Sequence, residues 1–99
     1  MLPDIQPAHM EIIQKILKQY FPNRRIVAFG SRVIGTARKM SDLDLCIMGE
    51  ESIPFGKLAD LRDEFSLSNL PYKVDVISWA EVAPDFRQIV LSNHIDIQK

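Results

Sequence analysis

Ile26-Val27-Ala28-Phe29-Gly30-Ser31, followed after a ten-residue gap by Asp42-Leu43-Asp44-Leu45, is the stretch on which the reading of this chain turns. An apolar run, a Gly-Ser turn and a second apolar run, Leu43 to Met48, read as two strands joined by a loop. Side chains at i and i+2 of a strand leave the same face, so Asp42 and Asp44 become neighbouring like charges unless a cation separates them. The pattern outlines a divalent-metal site.

The intervening loop supplies partners for phosphate. It carries Gly30 and Gly35, the hydroxyls of Ser31, Thr36 and Ser41, and the cations Arg32, Arg38 and Lys39. Backbone N–H groups and a hydroxyl at a tight turn can hold phosphate oxygens, and an arginine adds bidentate charge-assisted bonds. Carboxylates for the metal and a turn for the phosphates together describe an ATP-like pocket.

Working outward, Ile12, Ile13, Ile16, Leu17 and Tyr20 recur at helical spacing and predict an amphipathic helix over residues 8–20. Strands are expected at 25–29, 43–48 and 72–77, with a short helical piece after Gly30. A helix from about Pro54 to Phe65 is expected to bury Phe55, Leu58, Leu61 and Phe65. Ser78-Trp79-Ala80-Glu81 has the form of a capping box, Pro84 to Leu91 reads as the last helix, and Ile95-Asp96-Ile97 as a short edge strand. Helices interleaved with strands give an α/β (α+β) class, a small mixed β-sheet with flanking helices.

At 99 residues the chain is expected to form one domain, 1–99, with a single core and no second lobe to grip a large substrate. A hydrophobic content of 46% and a net charge of −1 give no polycationic surface for nucleic acid or membrane. No apolar run approaches a membrane span, and Met1-Leu2-Pro3-Asp4 lacks the regions of a signal peptide, so a cytoplasmic location is expected. Cys46, inside an apolar strand, reads as a small buried hydrophobe. Trp79 reads as a core residue, and His9 and His94, with no other ligand at metal spacing, as surface residues.

Val74-Asp75-Val76-Ile77 places a third carboxylate in a run otherwise made for burial, which requires a partner for Asp75. Three aspartates on adjacent strands would fit two divalent cations, roughly 3.5–4 Å apart, of the kind that stabilise attacking and leaving oxygens in phosphoryl or nucleotidyl transfer. Gly30-Ser31, the gap of positions 32 to 41, Asp42-Leu43-Asp44 and a later Asp75 between aliphatic residues resemble the nucleotidyltransferase fold of the DNA polymerase β superfamily. The chain is most similar to its minimal members, the MNT proteins encoded beside HEPN-domain partners. The likeness runs from the first helix to Phe86-Arg87-Gln88-Ile89, whereas Asn93-His94-Ile95 departs from the Asn/Glu-Gly turn and strand with which relatives often continue.

The resemblance implies that Asp42, Asp44 and Asp75 are the catalytic and metal-binding residues, holding two Mg²⁺ ions. Gly30, Ser31, Arg32 and Ser41 are the candidate nucleotide-binding residues, Gly30 by close backbone approach and Ser31 at the β/γ-phosphates. It further implies transfer of NMP, AMP from ATP, onto a hydroxyl of a HEPN ribonuclease toxin, with this chain as the antitoxin and a homo- or hetero-oligomer as the assembly. Neutralisation of the partner by occlusion without chemistry, and a catalytic subunit acting on a small molecule such as an aminoglycoside, are the alternatives.

Overall fold

Pairing, rather than element order, decides what the strands can do. A computed structural model of the chain describes residues 4–38 and 40–99, so Lys39 of the phosphate loop and the Met1-Leu2-Pro3 stretch of the expected N-terminus lie outside the described residues. Four strands, β1 (Ile26–Phe29), β2 (Leu43–Ile47), β3 (Val74–Ser78) and β4 (His94–Gln98), form one mixed sheet in the order β3-β2-β1-β4. β1 is antiparallel to both β2 and β4, while β2 and β3 are parallel. The parallel pair needs a crossover, and the chain makes it through a helix, α3 (Phe55–Ser66).

One face of the sheet carries the main core. Leu43, Leu45 and Ile47 of β2 and Val74 and Val76 of β3 pack with Ile13, Ile16 and Leu17 of α1 (Pro7–Tyr20) and with Leu61 and Phe65 of α3. Each fully buried aliphatic side chain of this kind contributes about 1.5–3 kcal/mol. The opposite face has a smaller apolar cluster, Val27, Phe29 and Cys46, covered by Val90 of α4 (Pro84–Ser92). A one-turn helix, α2 (Ser31–Ile34), follows β1 directly.

Several expectations need correction. Phe55 is 82% exposed because α3 buries only a narrow stripe through Leu61 and Phe65. Pro54 is the residue before α3 rather than part of its first turn. The capping box is not formed: Trp79–Glu81 is a 3-10 turn, and the Ser78 hydroxyl is buried with no hydrogen-bond partner, so it caps nothing. The C-terminal strand is longer than expected and pairs along β1 from Phe29↔His94 to Ile26↔Gln98. It is held by the Gln98 amide, which donates to the carbonyls of Phe21 (2.6 Å) and Arg24 (2.8 Å), and by the Arg25–Asp96 ion pair at 2.7 Å.

Candidate active site

Register brings the carboxylates together. Phe29 pairs with Asp44 across β1 and β2, and Asp44 pairs with Asp75 across β2 and β3, so Phe29, Asp44 and Asp75 form a row across the sheet. Because Leu43, Leu45, Val74 and Val76 point into the main core, alternation turns Asp42, Asp44 and Asp75 to the opposite face. Asp42 precedes the ladder and is exposed, while Asp44 and Asp75 are half-buried. α4 packs on this face through Val90 and Phe86, which cover the Phe29 end of the row, while Asp44 and Asp75 stay half-buried.

Gly30 is fitted against the row. Its backbone has φ 79° and ψ −156°, a region open only to glycine, and a Cβ there would collide with Oδ2 of Asp44. The close approach of backbone to carboxylate is therefore built into β1–α2. Gly30 then starts α2, its carbonyl accepting from the amides of Val33 (2.9 Å) and Ile34 (3.1 Å). Ser31 opens that turn, half-buried, with no side-chain hydrogen bond among the described residues.

Arg32 and Ser41 are tied into the loop that carries them. The guanidinium of Arg32 is buried, stacks over the Tyr72 ring at 3.9 Å, and donates to the Ser41 carbonyl (3.0 and 2.8 Å) and the Asp4 carbonyl (2.9 Å). Ser41 in turn accepts from the Arg38 amide through its hydroxyl at 2.8 Å. Both residues hold the loop closed.

The row carries uncompensated charge. Burial, then Asp75, then Asp42, push the Asp44 carboxyl above the usual carboxylate range. Among the described residues no donor or cation pairs with Asp42 or Asp44, and Asp75 meets only the ammonium of Lys73, at 3.3 Å. No three His, Cys, Asp or Glu side chains among the described residues stand at metal-ligand spacing. An all-carboxylate donor set beside a glycine cradle fits a hard divalent ion such as Mg²⁺, which keeps much of its water and takes one or two protein carboxylates.

Beside the row lies an open cavity of about 500 Å³, bounded by Phe29, Asp44, Arg62, Lys73, Asp75 and Phe86. Phe29 and Phe86 meet edge to face with centroids 5.8 Å apart and form its apolar wall. Arg62 reaches across the open edge of the sheet to the Val76 carbonyl at 2.8 Å. The sequence reading does not single out Lys73, although its position two residues before Asp75 at a strand start puts both on one face. Trp79 does not reach the row: its indole N–H donates to Glu50 at 3.0 Å and its ring lies under Arg87. Cys46, two residues beyond Asp44 on the same face of β2, is buried with Val27, Phe29 and Val90, its thiol pushed up to about 11 by burial. His9 is not a free surface group but stands against Tyr72, and the half-buried His94 has Nδ1 without a partner.

The comparisons agree with this geometry. The family described as polymerase beta, nucleotidyltransferase matches residues 11–98. The probable protein adenylyltransferase MntA of Haemophilus influenzae is 43% identical over 96 residues, which is 97% of this chain and 84% of that protein. A toxin-antitoxin crystal structure with AMP-PNP superposes with a TM-score of 0.76 over 89% of this chain and 71% of its own, at 22% identity. The tri-AMPylated Shewanella oneidensis HEPN toxin in complex with MNT antitoxin does so with a TM-score of 0.70 over 94% and 71%, at 19% identity. The two structures speak to the fold, and no helix among the described residues is long and apolar enough to cross a membrane. Matched from its first helix through its C-terminal strand, the chain belongs to the polymerase beta nucleotidyltransferase family.

Proposed function

We propose that residues 1–99 act as one minimal nucleotidyltransferase domain that moves AMP from ATP onto a hydroxyl of a HEPN-type toxin, and so serves as its antitoxin in the cytoplasm. The observation that carries the reading is the row itself: Asp44 paired in register with Asp75, with Asp42 on the same face and Gly30 closed against Asp44. The choice of AMP and of a protein acceptor is supported by the 43% identical probable protein adenylyltransferase.

Asp42 and Asp44 would hold the nucleotide's cation, and Asp75 a second one on the acceptor side. Gly30 admits backbone to the triphosphate, and the Ser31 hydroxyl and amide are free to meet its β- and γ-oxygens. Bound Mg²⁺ would supply charge neutralisation and ease ionisation of the acceptor hydroxyl. The acceptor oxygen forms a bond to the α-phosphorus, the α–β bridging bond breaks, and pyrophosphate leaves. Asp75, which lines the cavity, would take the acceptor's proton. The unpaired Asp42 and Asp44 favour chemistry over occlusion, since a binding surface gains nothing from repelling carboxylates.

The test is thermal stabilisation by MgATP. A ligand at a hundred times its Kd stabilises by about 2.7 kcal/mol, and roughly 4–8 °C in Tm attends each kcal/mol in a domain of this size. Asp42→Asn with Asp44→Asn should abolish the shift, whereas Asp75→Asn should keep it and lose transfer. A double variant that binds MgATP like the parent would disprove the assignment.

A further inference from the structure

The parallel register pairs Leu43 with Val74, and the Leu43 amide donates to the Lys73 carbonyl at 2.9 Å. Extending both strands back one residue sets Asp42 beside Lys73, as Asp44 is set beside Asp75. Four positions on one face thus form a square, three corners carboxylate and the fourth a lysine. The Lys73 ammonium stands 3.3 Å from Oδ1 of Asp75. The other side-chain ion pairs among the described residues, Arg25–Asp96 and Arg87–Glu50, involve none of the three aspartates.

We propose that Lys73 is a positioning residue for the acceptor-side carboxylate: its ammonium holds Asp75 in place as a tethered counter-ion and opposes occupation of that corner by a free divalent cation. The inference rests on the reading of Asp42, Asp44 and Asp75 as cation ligands. Its physical basis is simple repulsion. A monovalent charge in contact with Asp75 lowers the negative potential that a divalent ion would feel there, and the ammonium must swing away before a cation can take both Asp75 oxygens. Lys73 is the right group for such a gate, because its side chain is 72% exposed and its flexible stem can release Asp75 without disturbing the sheet. The consequence is an order of events: the first cation enters with the triphosphate at Asp42 and Asp44, and the acceptor-side corner stays guarded until then.

The experiment is titration of the nucleotide-free protein with Mn²⁺, followed by electron paramagnetic resonance, for the parent, Lys73→Met and Lys73→Arg. Lys73→Met should bind Mn²⁺ about threefold or more tightly, while Lys73→Arg, keeping the charge, should bind as the parent does. In transfer assays Lys73→Met should reach half-maximal rate at lower Mg²⁺ with its KM for ATP unchanged. Equal or weaker Mn²⁺ binding by Lys73→Met overturns the proposal, and so does a raised KM for ATP with unaltered Mn²⁺ affinity, which would make Lys73 a phosphate ligand. The Asp42→Asn/Asp44→Asn variant, titrated alongside, keeps the two ideas apart: if it binds Mn²⁺ like the parent, the cation site itself is misassigned.

Discussion

Replacing Gly30 by alanine probes the closest fit in the site. The substitution meets two separate obstacles: a backbone at φ 79° and ψ −156°, and the Asp44 carboxylate lying where the new Cβ must go. The strained backbone region costs a non-glycine residue about 1–3 kcal/mol. At about 2 kcal/mol the Tm should fall by roughly 8–16 °C. Relief of the collision then requires Asp44 to move, and a shift of ~1 Å in a reacting constellation costs on the order of a hundredfold in rate. Gly35→Ala is the matched control. Gly35 also has a left-handed backbone, φ 86°, but a Cβ there meets nothing within 4 Å, so it should lose about 1–2 kcal/mol and almost no activity. Urea denaturation gives the stabilities, and transfer of labelled AMP under conditions where both variants are folded gives the rates. A Gly30→Ala protein that transfers within about threefold of Gly35→Ala would refute the claim that Gly30 is kept for the approach to Asp44.

Two further outcomes follow from the charges around the loop. Asp44→Asn should raise the Tm of the nucleotide-free protein by a few degrees, roughly 2–5 °C, while removing MgATP stabilisation, because it relieves burial of an unpaired carboxylate facing Asp75 and Asp42. The Asp44 carboxyl titrates above its unfolded value of 3.8, so the folded state takes up the proton first. Its contribution to stability therefore grows as pH falls through the folded pKa toward 3.8, and the advantage of Asp44→Asn over the parent, read by thermal melts across that window, should shrink with it. Arg32→Ala should cost about 2–4 kcal/mol in urea denaturation, since it strips donors from the Ser41 and Asp4 carbonyls and empties the space over Tyr72; Arg32→Lys should not restore the loss, and full stability in either would show that the guanidinium does not hold the loop.

Local pattern carried the chain's reading a long way. Periodicity at Ile13, Ile16 and Leu17, and the apolar runs around Gly30-Ser31 and Asp42–Leu45, are properties of neighbouring residues, and each element they announce is present. What depends on distant residues was not legible. Nothing near Arg32 reveals that Tyr72, forty positions on, lies beneath its guanidinium and that the Ser41 carbonyl takes its protons. Ser78 and Glu81 have capping-box spacing, yet burial of the Ser78 hydroxyl takes it out of reach of that role. The need for a partner at Asp75 could be argued only from the cost of leaving a carboxylate unpaired; that its ion-pair partner is Lys73 and its cross-strand neighbour Asp44 depends on how the strands lie in register, which strand composition does not encode. Lys73 escaped for the same reason, because its nearness to Asp42 exists only once β2 and β3 lie parallel.

The central claim, that the Asp42–Asp44–Asp75 row adenylylates a protein partner, is tested most directly by intact mass spectrometry of a HEPN partner co-expressed with this chain. With the parental protein the partner should gain the mass of one or more adenylyl groups and cell growth should be restored. Both effects should vanish with Asp42→Asn/Asp44→Asn, whose fold the exposed and half-buried positions leave intact. Growth restored by the double variant with an unmodified partner would contradict the account and assign neutralisation to binding alone.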